Sequence, residues 1–181
     1  MGVDITVTTA KTEDLAAPVR DAIVALCVAA HNQPDFLNLF TYVPAGGRHF
    51  LAYRGDELLS HAMVTTRWLQ PADLPVLKTA WVDAVSTAPG VQGQGYGSAV
   101  LRTVAQSVAG EYEIGGLQSD GTGFYTRLGW EEWRGPLAGR CEEGVVPTPE
   151  QTGVMILRLP RTPELDLHTL LTIEGDGERI W

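Results

Sequence analysis

The chain has 181 residues, 44% of them hydrophobic and 19% charged, and a formal net charge of −9. That length fits one domain, or one domain with a tail, and the composition is ordinary for a soluble globule. The acidic balance argues against a nucleic acid or a membrane surface, which want a basic patch; it suits a cationic partner better, although a solvated acidic surface is the commoner reading.

Val3 to Thr8 alternates apolar and polar residues, as a strand does. Thr12 can cap a helix, with Glu13 and Asp14 in its first turn. Leu15, Val19, Ile23, Leu26 and Ala30 then recur at helical spacing, until His31-Asn32-Gln33-Pro34 stops the helix. Asp35 to Gly47 reads as an irregular loop or a short second helix, a lid over a site. Arg48 to Tyr53 and Leu58 to Leu69 read as strands joined by a hairpin at Arg54-Gly55-Asp56-Glu57. Gln70 to Leu74 is a turn, and Val76 to Thr87 is the next strand.

That strand runs into Pro89-Gly90-Val91-Gln92-Gly93-Gln94-Gly95-Tyr96-Gly97-Ser98. Glycines let a ligand approach the backbone closely, and the helix start that follows offers unpaired N–H groups and a positive dipole end. Together they form an anion site suited to a pyrophosphate. A dinucleotide fingerprint fits weakly, because Ser98 stands where a third glycine belongs. A Walker loop fails because no Lys follows. An ordinary glycine-rich connection is the bland alternative. Four antiparallel strands before the loop also depart from a dinucleotide-binding βαβ unit, which needs a crossover helix here.

Beyond the loop, Gly97 to Ala109 reads as an amphipathic helix. Tyr112 to Leu117 is a strand, and Asp120 to Leu128 is a short helix closed by Gly129. Trp130 to Trp133 starts a strand, and Leu137 to Gln151 reads as loop. Val154 to Leu159 is a last strand, and Pro160 to Trp181 is a tail. Cys27 and Cys141 stand far apart, which fits neither a metal site nor a disulfide framework and suits a reducing compartment. No signal-peptide pattern or membrane-length apolar run is present, so a cytoplasmic protein is expected. The four histidines lack metal-ligand spacing and read as structural or exposed; no metal is expected.

Gln92-x-x-Gly95-x-Gly97 matches the acyl-CoA loop of the GCN5-related N-acetyltransferases position by position, and Phe124-Tyr125-x-x-Leu128-Gly129-Trp130 is a second, independent match. The chain resembles that superfamily over most of its length. Trp130, Trp133, Gly135, Pro136, the terminal Trp181 and the Val82-Asp83-x-Val85 strand look more particularly like the aminoglycoside 2′-N-acetyltransferases, roughly from Asp35 to Trp181. The resemblance implies a single α/β (α+β) acyl-CoA N-acyltransferase domain over residues 1–181. A mixed, mostly antiparallel central sheet would be flanked by helices, with residues 160–181 closing the acceptor pocket.

It also implies roles. Val85, Ser86 and Thr87 would hydrogen-bond the pantetheine arm of acetyl-CoA through their main chain. Gln92, Gly93, Gln94, Gly95, Tyr96, Gly97 and Ser98 would hold the pyrophosphate. Tyr125 would protonate the departing thiolate, for which a phenol is apt because it stays protonated at neutral pH; a core aromatic is the alternative. The attacking amine must lose a proton, and Asp83, reaching through water, is a base candidate; an acid on an exposed strand edge is the other reading. Trp181 would meet the substrate amine with its main-chain carboxylate, unless the terminus is simply frayed. Asp35, Asp83, Asp120, Glu150, Glu178 and Trp181 would bind a polycationic sugar.

The chain departs from those relatives at Phe40 and Arg179, where acids are expected, and in a shortened segment from Gln118 to Phe124. These changes favour a smaller or zwitterionic acceptor such as kasugamycin. The expected activity is direct acetyl transfer from acetyl-CoA to an aminoglycoside amine, hence antibiotic resistance. Relatives commonly dimerise, which implies a homodimer. The alternatives are another small-molecule or peptide amine, or a non-catalytic acyl-CoA-binding module.

Overall fold

The computed structural model of the chain describes residues 5–175 and 180–181. In chain order the elements are β1 (Thr6–Lys11), α1 (Ala17–His31), α2 (Leu39–Tyr42), β2 (Arg48–Arg54), β3 (Glu57–Pro71), β4 (Leu77–Thr87) and α3 (Tyr96–Val108). There follow β5 (Ile114–Gln118), α4 (Thr122–Thr126), β6 (Glu131–Glu132), β7 (Leu137–Cys141), β8 (Gly144–Pro147), β9 (Val154–Arg158) and β10 (Leu171–Glu174). The chain divides into two compact units, one of residues 1–65 and 82–107, the other of 66–81 and 108–181. The long strands β3 and β4 each contribute one segment to either unit.

In the first unit β1 pairs antiparallel with β2, from Thr6 opposite Tyr53 to Lys11 opposite Arg48. β2 pairs antiparallel with β3 and closes at Arg54 opposite Glu57. The two-residue turn holds Gly55 at φ +59°, as the Gly-Asp pair leads one to expect. α1 buries Ile23, Leu26 and Cys27, and Leu15, Ile23, Cys27, Leu39 and Leu51 form one apolar cluster. Burying each large apolar side chain contributes about 1.5–3 kcal/mol.

α1 starts differently from its sequence reading. Its N-cap is Ala16, with no side-chain cap, and Pro18 sits in the first turn, where a missing N–H costs nothing. Thr12 is buried in a 3₁₀ turn instead, its hydroxyl turned to His49. The segment expected to be loop or helix from Asp35 is both: a 3₁₀ turn, Pro34–Asn38, followed by α2.

In the second unit the start of β4 pairs parallel with β5, Thr79 to Trp81 against Ile114 to Gly116. β5 pairs antiparallel with β9, and β9 with β6. The end of β3 pairs antiparallel with β10, which pairs parallel with β7. β7 and β8 form a hairpin within the stretch read from sequence as loop. β10 lies within the segment read as tail and is buried from Leu171 to Ile173. Leu69, Leu77, Trp81, Ile114, Trp133, Val154, Ile156, Leu171 and Ile173 share one core. The fold is therefore mixed α/β, with mostly antiparallel pairing, as the resemblance implied.

Candidate active site

The first unit carries the end of β4 and the glycine turn. β4 keeps its parallel ladder with β5 only as far as Trp81, then continues to Thr87. Within that continuation Ala84 has φ +50°. A left-handed conformation in a residue with a Cβ costs on the order of 1–3 kcal/mol and persists only where its surroundings hold it.

Those surroundings are side chains bonded to three successive carbonyls. Ala84 O lies 3.0 Å from His61 Nδ1 and 3.2 Å from Ser86 Oγ. Val85 O lies 3.0 Å from His31 Nε2, and Ser86 O accepts from Ser60 Oγ at 2.9 Å. A second Ser60 contact, 2.8 Å, reaches Thr87 Oγ1. In the sequence His31 reads only as part of a helix stop. No local signal marks its contact with Val85, because the pairing is set by how α1 lies against β4. Asp83 is half-buried just before Ala84.

The turn itself runs from Gln92 to Gly95 in solvent and enters α3 at Tyr96, which is buried with Gly97. Gly93 and Gly95 have φ +77° and +95°. Nothing stands within 4 Å of a Cβ added at Gly93, so conformation rather than space calls for glycine there. Gly95 O takes the N–H of Ala99 at 2.9 Å and so begins the helical ladder. The N–H groups of Tyr96, Gly97 and Ser98 therefore lie in the first helical turn, where no intrahelical acceptor exists. Gln92 Nε2 donates to Thr87 O at 3.3 Å, tying the turn to the strand it follows. These features fit a pyrophosphate: an exposed bend of glycines opening onto a helix start of more than three turns' ladder. Asp35 is exposed in the 3₁₀ turn after α1.

Phe40, one of the departures noted from sequence, faces the interior of this unit. It packs against the apolar cluster, beneath the Arg20 guanidinium at 5.3 Å and beside the His49 ring at 5.7 Å. Burial pushes the Cys27 thiol up to about 11, with Ser86 opposing. A thiol so protonated is a poor nucleophile at neutral pH.

The second unit carries the other candidates. Tyr125 is buried in α4, edge-on to Phe124 at 5.1 Å and to Trp130 at 6.2 Å. Gly129, at φ +87°, ends that turn, and Trp130 N–H bonds back to Tyr125 O at 3.2 Å. Asp120 and Glu150 are exposed. Trp181 is half-buried; its indole N–H bonds to Thr148 Oγ1 at 2.9 Å, and its ring lies 6.2 Å from that of Trp81. Trp81 Nε1 is itself buried with no hydrogen-bond partner among the described residues. Glu178 and Arg179 lie outside the described residues.

Among the described residues no group of three or more His, Cys, Asp or Glu could hold a metal, and no helix is long and apolar enough to cross a membrane.

The family model of the acetyltransferase (GNAT) domain matches residues 11–133. An aminoglycoside 2′-N-acetyltransferase of Mycolicibacterium fortuitum is 31% identical over 175 residues, 94% of this chain and 89% of that protein. The ribosomal-protein-S18-alanine N-acetyltransferase of Escherichia coli superposes with a TM-score of 0.59 at 15% identity, covering 89% of this chain and 97% of that one. A GCN5-related N-acetyltransferase from Kribbella flavida gives a TM-score of 0.57 at 20% identity over 74% of this chain. There the chain spans only 35% of the matched protein. Sequence and fold agree: the chain belongs to the GNAT acetyltransferase family and is an acetyl-transferring enzyme.

Proposed function

We propose that this enzyme transfers acetyl from acetyl-CoA directly to a primary amine of an aminoglycoside or aminocyclitol antibiotic, at the 2′ position. One observation carries the reading. The aminoglycoside 2′-N-acetyltransferase relative aligns over 175 residues, more than the family domain at 11–133 can hold, so the likeness runs through the final third as well. That third contains Tyr125's neighbour Trp130 and the segment up to Trp181 that the resemblance assigns to the acceptor.

Acetyl-CoA supplies an activated acetyl thioester. The backbone of Val85, Ser86 and Thr87 holds its pantetheine arm, and Gln92 to Ser98 hold its pyrophosphate through N–H groups. The amine attacks as its neutral form, so a proton must leave it; Asp83 accepts that proton through water. The carbon–sulfur bond breaks, and Tyr125 gives its phenolic proton to the sulfur. Asp35, Asp83, Asp120 and Glu150 offer carboxylates to a cationic sugar, and Glu178 and Trp181 join them by resemblance. With Phe40 committed to the interior, one expected acid is missing from that set, which favours a less cationic acceptor such as kasugamycin. A single domain over residues 1–181, a cytoplasmic location, a homodimer and a role in antibiotic resistance belong to the same reading. Neither a nucleic acid nor a membrane does.

The test is mass spectrometry of kanamycin, gentamicin and kasugamycin, with polyamines and peptides alongside, each incubated with enzyme and acetyl-CoA. One acetyl gained on an antibiotic supports the reading and names the acceptor. Acetylation of a peptide or polyamine alone overturns it.

A further inference from the structure

Three side chains beneath β4 form a line. Thr12 Oγ1 lies 3.1 Å from His49 Nε2, and His49 Nδ1 lies 2.9 Å from His61 Nε2. His61 Nδ1 lies 3.0 Å from Ala84 O. Both imidazoles are fully buried and Thr12 nearly so.

The direction of every bond follows from its last acceptor. A carbonyl oxygen only accepts, so His61 Nδ1 carries the proton. Burial keeps His61 neutral, with a pKa lowered to about 3, so its Nε2 is bare and must accept. His49 Nδ1 therefore donates. Burial, and after it the charge of Arg20, lowers His49 to about 4, so it too is neutral and its Nε2 accepts. The Thr12 hydroxyl then donates to it. The nearby Gly47 O, 3.2 Å from the same hydroxyl, takes the Thr12 main-chain N–H at 2.8 Å. The two imidazoles each have one arrangement, the Thr12 hydroxyl faces both His49 Nε2 and Gly47 O, and the line ends on the residue with φ +50°.

We propose that Thr12, His49 and His61 are positioning residues, a one-directional hydrogen-bond line that locks the left-handed backbone at Ala84 and so fixes where the main chain of Val85, Ser86 and Thr87 points. The inference rests on the acetyl-donor role proposed above for that main chain. A buried imidazole suits the task because it can accept at one nitrogen and donate at the other along one axis. An aliphatic residue would leave the Ala84 carbonyl with only the longer 3.2 Å bond from Ser86 Oγ, and the strained φ with less support.

Two measurements test it. Long-range ¹H–¹⁵N spectra of the full chain at neutral pH should show both His49 and His61 as neutral Nδ1–H tautomers. An Nε2–H tautomer at either residue overturns the line. The second measurement compares His61→Leu with His61→Asn, whose amide can donate from nearly the place of Nδ1. His61→Leu should shift the amide resonances of Val85, Ser86 and Thr87 and raise KM for acetyl-CoA about tenfold or more, with KM for the amine little changed. His61→Asn should recover most of both.

Unchanged Val85–Thr87 amides and an unchanged acetyl-CoA KM in His61→Leu overturn the proposal, as does a His61→Asn no better than His61→Leu. If His61→Leu does not fold, the tautomers and the His61→Asn resonances still decide. If the wild-type protein binds no acetyl-CoA, the donor-site reading fails. The tautomers and the β4 amides then judge the line alone.

Discussion

The guanidinium of Arg67 holds the carbonyl of Ile180: Nη2 donates to it at 2.7 Å. The same nitrogen donates to Glu174 O at 2.7 Å, and Nε bonds Glu174 Oε1 at 2.7 Å. One side chain on β3 thus gathers the end of β10 and the residue before Trp181. Arg67 is 15% exposed and Glu174 35%, so solvent screens the charge attraction in part and the hydrogen bonds carry more of the hold.

Replacing Arg67 by Met should therefore release Ile180 and Trp181. Glu174 keeps the Trp68 N–H and a 4.0 Å approach from Arg140, so the loss is partial. The expected destabilisation is about 1.5–3 kcal/mol, the range for hydrogen bonds to charged groups, read by chemical denaturation. In the same variant KM for the amine should rise more than KM for acetyl-CoA. Arg67→Lys keeps the charge but not the fork, and should recover only part of either effect.

Trp181 supplies the second half of that anchor. Trp181→Ala removes the indole from Thr148 and from the ring of Trp81. The expectation is a fall of several-fold or more in kcat/KM for the proposed aminoglycoside acceptor, with calorimetric binding of acetyl-CoA unchanged. An equal loss of acetyl-CoA binding would assign Trp181 to general stability and overturn its proposed part in acceptor recognition.

Much of this was legible in the sequence where the signal is local. The Gly55 hairpin, the glycine turn and Gly129 all follow from backbone demands that few residues meet. β8 was not legible, since Gly144 to Pro147 is exposed throughout and shows no buried alternation. β10 is short, and only its place between β3 and β7 makes it a core strand. Thr12 looked like a helix cap because capping and buried hydroxyls use the same residue type. The His49–His61 pair could not be read either. Each residue sits on a separate strand, and only the β2–β3 register, with His61 opposite Leu51 and His49 opposite Met63, brings them into reach.

The glycine turn makes a prediction about cause. Gly93→Ala has open space for its methyl, so its cost is purely conformational, about 1–3 kcal/mol. Gly93→Asn should cost less than Gly93→Val, because Asn tolerates positive φ and a β-branched residue does not. Melting temperatures should follow the order Gly, Asn, Ala, Val. KM for acetyl-CoA should follow the reverse order, while KM for the amine stays level.

Tyr125→Phe separates chemistry from packing. The ring keeps its edge contacts with Phe124 and Trp130, so the fold should stand. If the phenol protonates the leaving thiolate, kcat should fall about 10²-fold or more with both KM values nearly constant. Thiol release in a stopped assay measures it, and an unchanged kcat would return Tyr125 to the core.

Acid should weaken the protein through the buried imidazoles. The groups facing them are Thr12, the Phe40 ring from α2 and, as the charged neighbour, Arg20 from α1. Burial first, then His49, holds His61 down to about 3 from an ordinary 6.5, although the Ala84 carbonyl pulls the other way. Burial first, then Arg20, holds His49 down to about 4 from the same value. Between those limits the unfolded chain binds protons that the folded one refuses, so stability rises with pH across the window. The contribution is full above about pH 6.5, falls as the pH drops below it, and stops falling once the folded-state values near 4 and 3 are passed. Urea denaturation of the wild type at several pH values in that window should show the slope. His61→Asn, with one imidazole gone, should show a shallower one. A wild type whose midpoint is flat across the window would mean that these histidines are already solvated and charged, and that the line beneath β4 is open to water.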